Sequence, residues 1–296
     1  MEVLINFIID YKCKFLKRAF EKRIIYLKLI QSIYILKTTL IITTYNWPKA
    51  LELVLKSAEH QTHMPDEIIV ADDGSGLETK KVVENFIDKL PLTHLWHEDE
   101  GFRRTVILNK ALAKADGDYI IQLDGDCIMH PQFIEDHYKN MQRNTFLYGS
   151  RVNIKKEFVE NLYKTKNIVF PYGDARVKNK TRNFHHSWLQ KLYSPSSKLS
   201  EKLRGCNLSY FKKDIIAING YNENMTGWGR EDSEMAIRLL NKGIKGKRLR
   251  YGGIIYHIWH LVVEKSRLNI NDSIQQKALD EKLTWCDEGL KKYLTV

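Results

Sequence analysis

From residue 38 to residue 126 the chain repeats one unit: a short β-branched or apolar run, a turn, then a stretch of helical periodicity. The runs are Thr39–Thr44, Glu67–Ala71, Thr93–His97 and Tyr119–Leu123. The helical stretches are Pro48–Glu59, Glu78–Leu90 and Arg104–Ala115. Pro48 suits a first helical turn, where its missing N–H has no partner to lose. Strands alternating with helices across short connections build a mostly parallel sheet flanked by helices, an α/β fold. Ligands of such sheets bind beyond the carboxyl ends of the strands. Three clusters fall there: Thr44-Tyr45-Asn46, Asp72-Asp73 and Asp124-Gly125-Asp126. No G-x-G-x-x-G or P-loop pattern accompanies them, so a phosphate would be held by a metal and basic side chains rather than by a glycine cradle.

The 296 residues suffice for one large or two small cores. Lysine and arginine exceed the acids by 47 − 36 = 11, a surplus suited to nucleotide diphosphates, acidic glycans, anionic membranes or nucleic acid. The four cysteines are far apart and form no C-x-x-C pair, which reads as reduced thiols in a cytoplasmic protein. Residues 1–37 carry eight basic and three acidic side chains, with apolar residues at roughly helical spacing. Such a segment is an amphipathic helical extension. It lies either on an anionic membrane surface or against the protein's own body. Ile24 to Leu36 is too short and too polar to span a bilayer, and no small-residue cleavage site follows it.

Residues 151–200 break the alternation, with eleven basic and three acidic residues interleaved with aromatics. That mixture fits an acceptor-contacting region or a solvated face. No nucleic-acid motif is present, so nucleic acid is not an expected partner. From Gly205 the pattern becomes regular again: Glu231–Lys242 reads as a helix, and residues 273–292 as a terminal one.

Asp124 and Asp126, flanking one glycine at a strand end, can both approach a hard divalent cation, although Asp and Gly are also ordinary turn residues. Asp72 and Asp73 either accept a base N–H or cap the next helix. Asp232 can act as a general base, since a hydroxyl attacks well only as its proton is removed; an acid at a first turn also simply suits the helix dipole. Trp228 offers a flat face for a sugar or fills a core. His257 and His260 close the β-like run Tyr256–His260. Three apart in a strand, they would point to opposite faces, so only one would reach a metal.

These residues also carry a resemblance. Ile42-Thr43-Thr44-Tyr45-Asn46, Val70-Ala71-Asp72-Asp73-Gly74-Ser75, Gly101-Phe102-Arg103 and Leu123-Asp124-Gly125-Asp126, in that order, resemble the family-2 inverting glycosyltransferases. Gly205-Cys206-Asn207-Leu208-Ser209, Gly220-Tyr221, Gly227-Trp228-Gly229-Arg230-Glu231-Asp232 and the His257/His260 pair resemble the carboxyl-terminal half of β-1,4-galactosyltransferases and bacterial chondroitin-type polymerases. The resemblance covers roughly residues 38–150 and 203–262. It implies a GT-A, Rossmann-like fold, with an amino-terminal helical extension (1–37) added to a nucleotide-sugar-binding half (38–150). A basic aromatic insertion (151–202), an acceptor-binding and catalytic half (203–265) and a carboxyl-terminal helix (266–296) follow.

By that resemblance Thr44, Tyr45, Asp72, Asp73, Arg103 and Asp124 would surround the donor, a UDP-sugar. Asp126 and His257 would ligate Mn²⁺ or Mg²⁺. Asp232 would be the base, with Glu231 beside it on the acceptor, and Trp228, Gly229 and Arg230 would line the acceptor site. Arg230 stands where relatives usually carry glycine. The implied activity is metal-dependent, inverting transfer of a hexose to a glycan or lipid-linked acceptor, in bacterial surface polysaccharide synthesis such as capsule or lipopolysaccharide. The expected place is the cytoplasm, with peripheral contact to the inner face of the membrane. Two other classes fit parts of the pattern: a nucleotidyltransferase, which also uses paired strand-end carboxylates, and a non-catalytic binder of anionic glycan or nucleic acid. Neither accounts for the tryptophan and acid pair at Trp228–Asp232.

Overall fold

The computed structural model describes residues 36–261 and 265–294. The expectation of an amphipathic helix over residues 1–37, with its membrane-surface and body-packing alternatives, lies outside the described residues. Among the described residues no helix is long and apolar enough to cross a membrane.

The order of elements is β1 (Thr38–Thr44), α1 (Pro48–Glu59), β2 (Glu67–Asp72), α2 (Leu77–Glu84), β3 (Leu92–Trp96), α3 (Arg104–Lys114), β4 (Tyr119–Asp124), β5 (Cys127–Met129), α4 (Phe133–Asn140), β6 (Thr145–Tyr148), β7 (Ser150–Ile154), α5 (Val159–Thr165), β8 (Val177–Lys178), β9 (Asn207–Phe211), α6 (Lys212–Ile216), α7 (Glu231–Asn241), β10 (Lys245–Arg248), β11 (Ile254–His257) and α8 (Leu268–Asp280). Short 3₁₀ turns fill several of the connections.

Seven strands form the main sheet in the order β10-β6-β9-β4-β1-β2-β3. All neighbours are parallel except β9, which runs against both β4 and β6. Every residue of β1 is buried, as its unbroken β-branched run requires of a strand covered on both faces. Ile41, Ile69 and Ile120 of adjacent strands pack with Ile107, Leu108, Ala111 and Leu112 of α3 and with Met235 and Leu239 of α7. A second, four-stranded sheet has the order β5-β11-β7-β8. Its buried face carries Ile128, Val152, Ile154, Ile254 and Tyr256, packed with Ala50 and Leu53 of α1. The expected α/β architecture with a mostly parallel central sheet is the one observed.

Three expectations are corrected. The helix expected over Glu78–Leu90 stops at Glu84, because the chain tightens into short turns that seat Phe86 and Leu90 in the core before Pro91. The terminal helix expected over 273–292 spans Leu268–Asp280 instead. It ends where Lys282 takes a left-handed φ of 51°, and the chain then anchors through the buried Leu290. Residues 151–200 contribute β7, α5 and β8 and so are more regular than their composition suggests. β7 is only five residues long and β8 two, too short for their alternation to stand out among the surrounding basic and aromatic residues.

Candidate active site

Parallel register brings the strand-end clusters side by side: Thr43 lies opposite Asp124, and Thr44 opposite Asp72. Thr43 Oγ1 donates to Asp124 Oδ1 at 2.9 Å, and the Gly125 amide donates to Thr43 O at 2.6 Å. A Cβ on residue 125 would stand 2.8 Å from that same carbonyl, so only glycine lets the chain turn this close to β1. Asp124 and Asp126 are thereby held on either side of a fixed turn.

Arg104, at the start of α3, faces Asp124. Its Nη2 donates to Asp124 Oδ1 at 2.7 Å, while Nη1 reaches Glu231 Oε1 and Asp232 Oδ1, both at 3.2 Å. One guanidinium thus gathers three carboxylates from β4 and from the first turn of α7. Burial works against its charge, but Asp124, Asp232 and Glu231 outweigh that and hold it protonated well above the usual range. Sequence reasoning chose Arg103 and missed Arg104. A signal existed: a cation in a first helical turn opposes the helix dipole and needs another reason to be there.

The acid pair sits where burial resists ionisation. Burial, then the neighbouring Asp232 charge, push the Glu231 carboxyl up to about 7 against the pull of Arg104. Burial also raises Asp232, opposed by Arg104 and reinforced by Asp124. Glu231 Oε2 is buried and has no hydrogen-bond partner among the described residues, leaving an open acceptor. Asp232 lies against Gly205, where a Cβ would stand about 2 Å from its carboxylate. Gly205 is held in turn by Gln122 Nε2, which donates to its carbonyl at 3.0 Å, while Gln122 Oε1 accepts from the buried Tyr210 and Tyr221 hydroxyls.

The loop before α7 is clamped by α8. Asn271 Nδ2 donates to Thr226 O and Gly229 O at 3.1 and 2.9 Å, Arg230 pairs with Asp272, and Ser233 bonds Gln275. Arg230 takes φ 76°, the left-handed conformation that favours glycine. Arg230 thus holds a glycine-like backbone although it carries a side chain. Gly229 also has positive φ, and Trp228 is 40 % exposed with the Lys265 ammonium 4.9 Å from its ring centre.

Asp126 meets both histidines. Its Oδ2 lies 3.3 Å from His257 Nε2 and 3.4 Å from His260 Nε2, and one ligand atom from each of the three fits within 4.8 Å. The expectation that His260 points away fails because β11 ends at His257 and the chain turns beyond it, so strand alternation no longer applies. Burial raises the Asp126 carboxyl, but its bonds to the two imidazoles outweigh that and hold it well below the usual range. The Asp126 bond pushes His260 up. Metal bonds of about 2.1 Å place neighbouring ligand atoms about 3.0–3.5 Å apart, so this carboxylate and two imidazoles suit one divalent ion.

The remaining predicted residues are placed as follows. Asp72 accepts from the Ser75 amide at 2.8 Å and pairs with His94 Nε2 at 2.9 Å. Asp73 accepts the Arg103 amide at 2.9 Å and pairs with His97 Nε2 at 2.7 Å. Both acids hold the turn that bounds the site. Thr44 is buried beside Gly125, and its carbonyl accepts from the Asp73 amide. Tyr45 is half exposed, with its hydroxyl on Asp99 at 2.9 Å. The Arg103 guanidinium turns to Glu100 and the Glu98 carbonyl, away from the three-carboxylate centre.

Residues 39–198, more than half of the chain, match the family described as glycosyl transferase family 2. The chain belongs to that family. Residues 191–261 match a second description, N-terminal domain of galactosyltransferase. A hyaluronan synthase of Pasteurella multocida is 28% identical over 236 residues, 74% of this chain and 24% of that protein. The chain spans a quarter to a third of the length of the polysaccharide synthases it matches. Among solved structures, S. aureus TarS 1-349 in complex with UDP-GlcNAc aligns with a TM-score of 0.59 at 15% identity, covering 87% of this chain and 69% of that one. The mannosyltransferase PcManGT from Pyrobaculum calidifontis, in complex with GDP-Man and Mn²⁺, aligns at 0.56 and 17%, covering 84% and 65%. At these identities the two structures establish the shared GT-A fold.

Proposed function

We propose that the chain transfers a sugar from a UDP-sugar to a hydroxyl of a glycan or lipid-linked acceptor, with inversion and with a divalent metal, in the synthesis of a bacterial surface polysaccharide at the cytoplasmic face of the membrane. The observation that carries this is the pairing of two centres two residues apart on one turn. One is the Arg104-bridged trio Asp124, Glu231 and Asp232, and the other is Asp126 with His257 and His260. Asp126, His257 and His260 would hold the metal, and Mn²⁺ suits mixed oxygen and imidazole donors better than Mg²⁺. Bound there, the ion would neutralise charge on the departing diphosphate.

The chain's own groups supply the rest. Asp232, raised by burial against the opposing pull of Arg104, takes the acceptor proton as that hydroxyl attacks the anomeric carbon. Glu231 Oε2 accepts a hydrogen bond from the acceptor, and Trp228 offers its ring to a sugar face. Asp73, Thr44 and Tyr45 border the nucleotide. The bound UDP-GlcNAc of TarS and the Mn²⁺ of the mannosyltransferase support this reading by analogy of fold.

Asp232→Asn tests it. The near-isosteric amide cannot accept the proton, so transfer should fall by about 10²–10⁴ while UDP-sugar binding stays within a few-fold. Transfer at the parent rate would place the base elsewhere. Release of pyrophosphate rather than UDP would assign a nucleotidyltransferase instead.

A further inference from the structure

The basic, aromatic middle of the chain takes no part in the chemistry above. In the folded molecule it joins a cluster drawn from four segments. Arg151 lies on β7, Arg182 in the 3₁₀ turn Lys180–Asn183, Arg204 just before β9, Arg248 at the end of β10 and Arg250 just after it. Arg182 Nη1 donates to Arg151 O, and Arg250 Nη2 donates to Thr181 O, each at 3.2 Å. The Gly149 amide donates to Asn207 O, and the Ser150 amide to Gly253 O, which ties the other three segments to one another. Burial and the charges of Arg248, Arg250, Arg151 and Arg204 all work against the charge on Arg182. Among the described residues no carboxylate forms an ion pair with any of the five. Like charges gathered without a counter-charge destabilise a fold unless an anion joins them.

The cluster adjoins the metal-ligand group. β7 and β11 pair in parallel, with Arg151 opposite Ile255 and Asn153 opposite His257. Residues two apart share a face, so Arg151 and His257 lie on the same face of the second sheet, opposite its packed core. Two strand positions separate them along the sheet, about 7 Å. Beside the arginines run Phe184, Tyr251 and Tyr193, with Arg250 over the Tyr251 ring at 5.0 Å. Phe184 in turn meets Tyr172, which is 66 % exposed.

We infer that this cluster is the binding site for the anionic groups of the acceptor chain: a polymer bearing carboxylates or phosphodiesters, whose growing end reaches Asp232 while its earlier units lie along the arginines and the aromatic rings. Forked guanidiniums suit both anions. The aromatic plates favour sugar rings over a bare headgroup, and continuity with the metal-ligand group favours an acceptor over an unrelated partner. The inference rests on the sugar-transfer reading.

The experiment measures binding of the full chain to a uronate oligosaccharide, a glycerol-phosphate oligomer, a neutral glucan of equal length, phosphatidylglycerol vesicles and oligouridine. UDP-sugar binding is followed in parallel. The parent should bind at least one of the first two and not the glucan. Arg182→Gln/Arg250→Gln should weaken that binding by about tenfold or more, while Lys80→Gln/Lys81→Gln on α2, an equal change of charge elsewhere, should not. If the arginine double variant does not fold, Arg248→Gln, whose side chain makes no hydrogen bond among the described residues, carries the same test. No binding to either anionic chain, an equal loss in the lysine control, or a loss confined to vesicles or RNA overturns the inference. UDP-sugar binding without any anionic-chain binding overturns it alone. Anionic-chain binding without UDP-sugar binding supports the site and overturns the transfer reading.

Discussion

Replacing Arg104 with methionine removes the one cation shared by Asp124, Glu231 and Asp232 and leaves the rest of the trio in place. The side chains of Arg104 and Glu231 are each 11 % exposed. Asp232 is 20 % and Asp124 33 % exposed, so water reaches these two and softens the loss. Removing one partner of a buried ion pair costs about 3–5 kcal/mol, and the partial exposure puts this case at the lower end, about 3 kcal/mol. For a chain of this size about 3 kcal/mol lowers Tm by about 6–12 °C. The catalytic effect has a definite sign. Arg104 lowers both Glu231 and Asp232, so its removal lets burial raise them further. A base must be ionised to accept a proton, so the acid limb of the transfer rate moves to higher pH. Each unit of movement corresponds to about 1.4 kcal/mol and a tenfold slower rate below the limb. The assay is UDP release against pH for parent, Arg104→Met and Arg104→Lys. Lysine keeps the charge without the fork, so its limb should lie between the other two. A folded Arg104→Met whose limb stays in place, or moves to lower pH, would refute the reasoning.

Exhaustive chelation should abolish transfer, and Mn²⁺ should restore it. Because both imidazoles reach Asp126, His257→Ala and His260→Ala should each raise the half-maximal Mn²⁺ concentration by about tenfold or more; an unchanged value in either variant removes that histidine from the site. Glu231, at about 7 in the folded chain against 4.5 for the free side chain, takes up a proton on folding across that window. Its contribution is therefore complete below about pH 4.5 and is lost as pH rises through 7. Glu231→Gln should show a smaller fall in Tm than the parent between pH 4.5 and 8, and parallel curves would contradict the burial argument. Arg238 is fully buried and bridges Glu234 to the Ile218 and Gly220 carbonyls. Arg238→Met strands Glu234 and should cost about 3–5 kcal/mol in chemical denaturation, whereas a change within experimental error would mean that Glu234 finds water.

What the sequence makes legible, and what it hides, divides along the range of the interactions. The strands β1, β2 and β4 and the helix α1 are local facts: β-branched runs that must be covered on both faces, and a proline at a first turn. Their boundaries fall within a residue of expectation. Parallel register then follows, and with it the juxtaposition of Thr43, Asp124, Thr44 and Asp72. The helix-dipole signal falls on Arg103 and Arg104 alike, and what singles out Arg104, its partners 20, 127 and 128 positions away, is not local. His260 was misread for the converse reason: alternation was extended past the end of a four-residue strand, where the chain had already turned.

The same contrast explains Arg230. Substituting arginine for a usual glycine looks, from sequence, like a change of chemistry. In the fold the residue keeps the left-handed backbone at φ 76°, a strain of about 1 kcal/mol or more. Its pair with Asp272 helps offset that strain, and Asn271, on the same helix, holds the loop from the other side. Helix α8 thus fixes the Trp228–Asp232 loop and, with it, the turn that sets Glu231 and Asp232 under Arg104. Conformation, not the side chain at 230, is what the acid pair requires, and a fold can meet that requirement with a distant helix as well as with a missing Cβ.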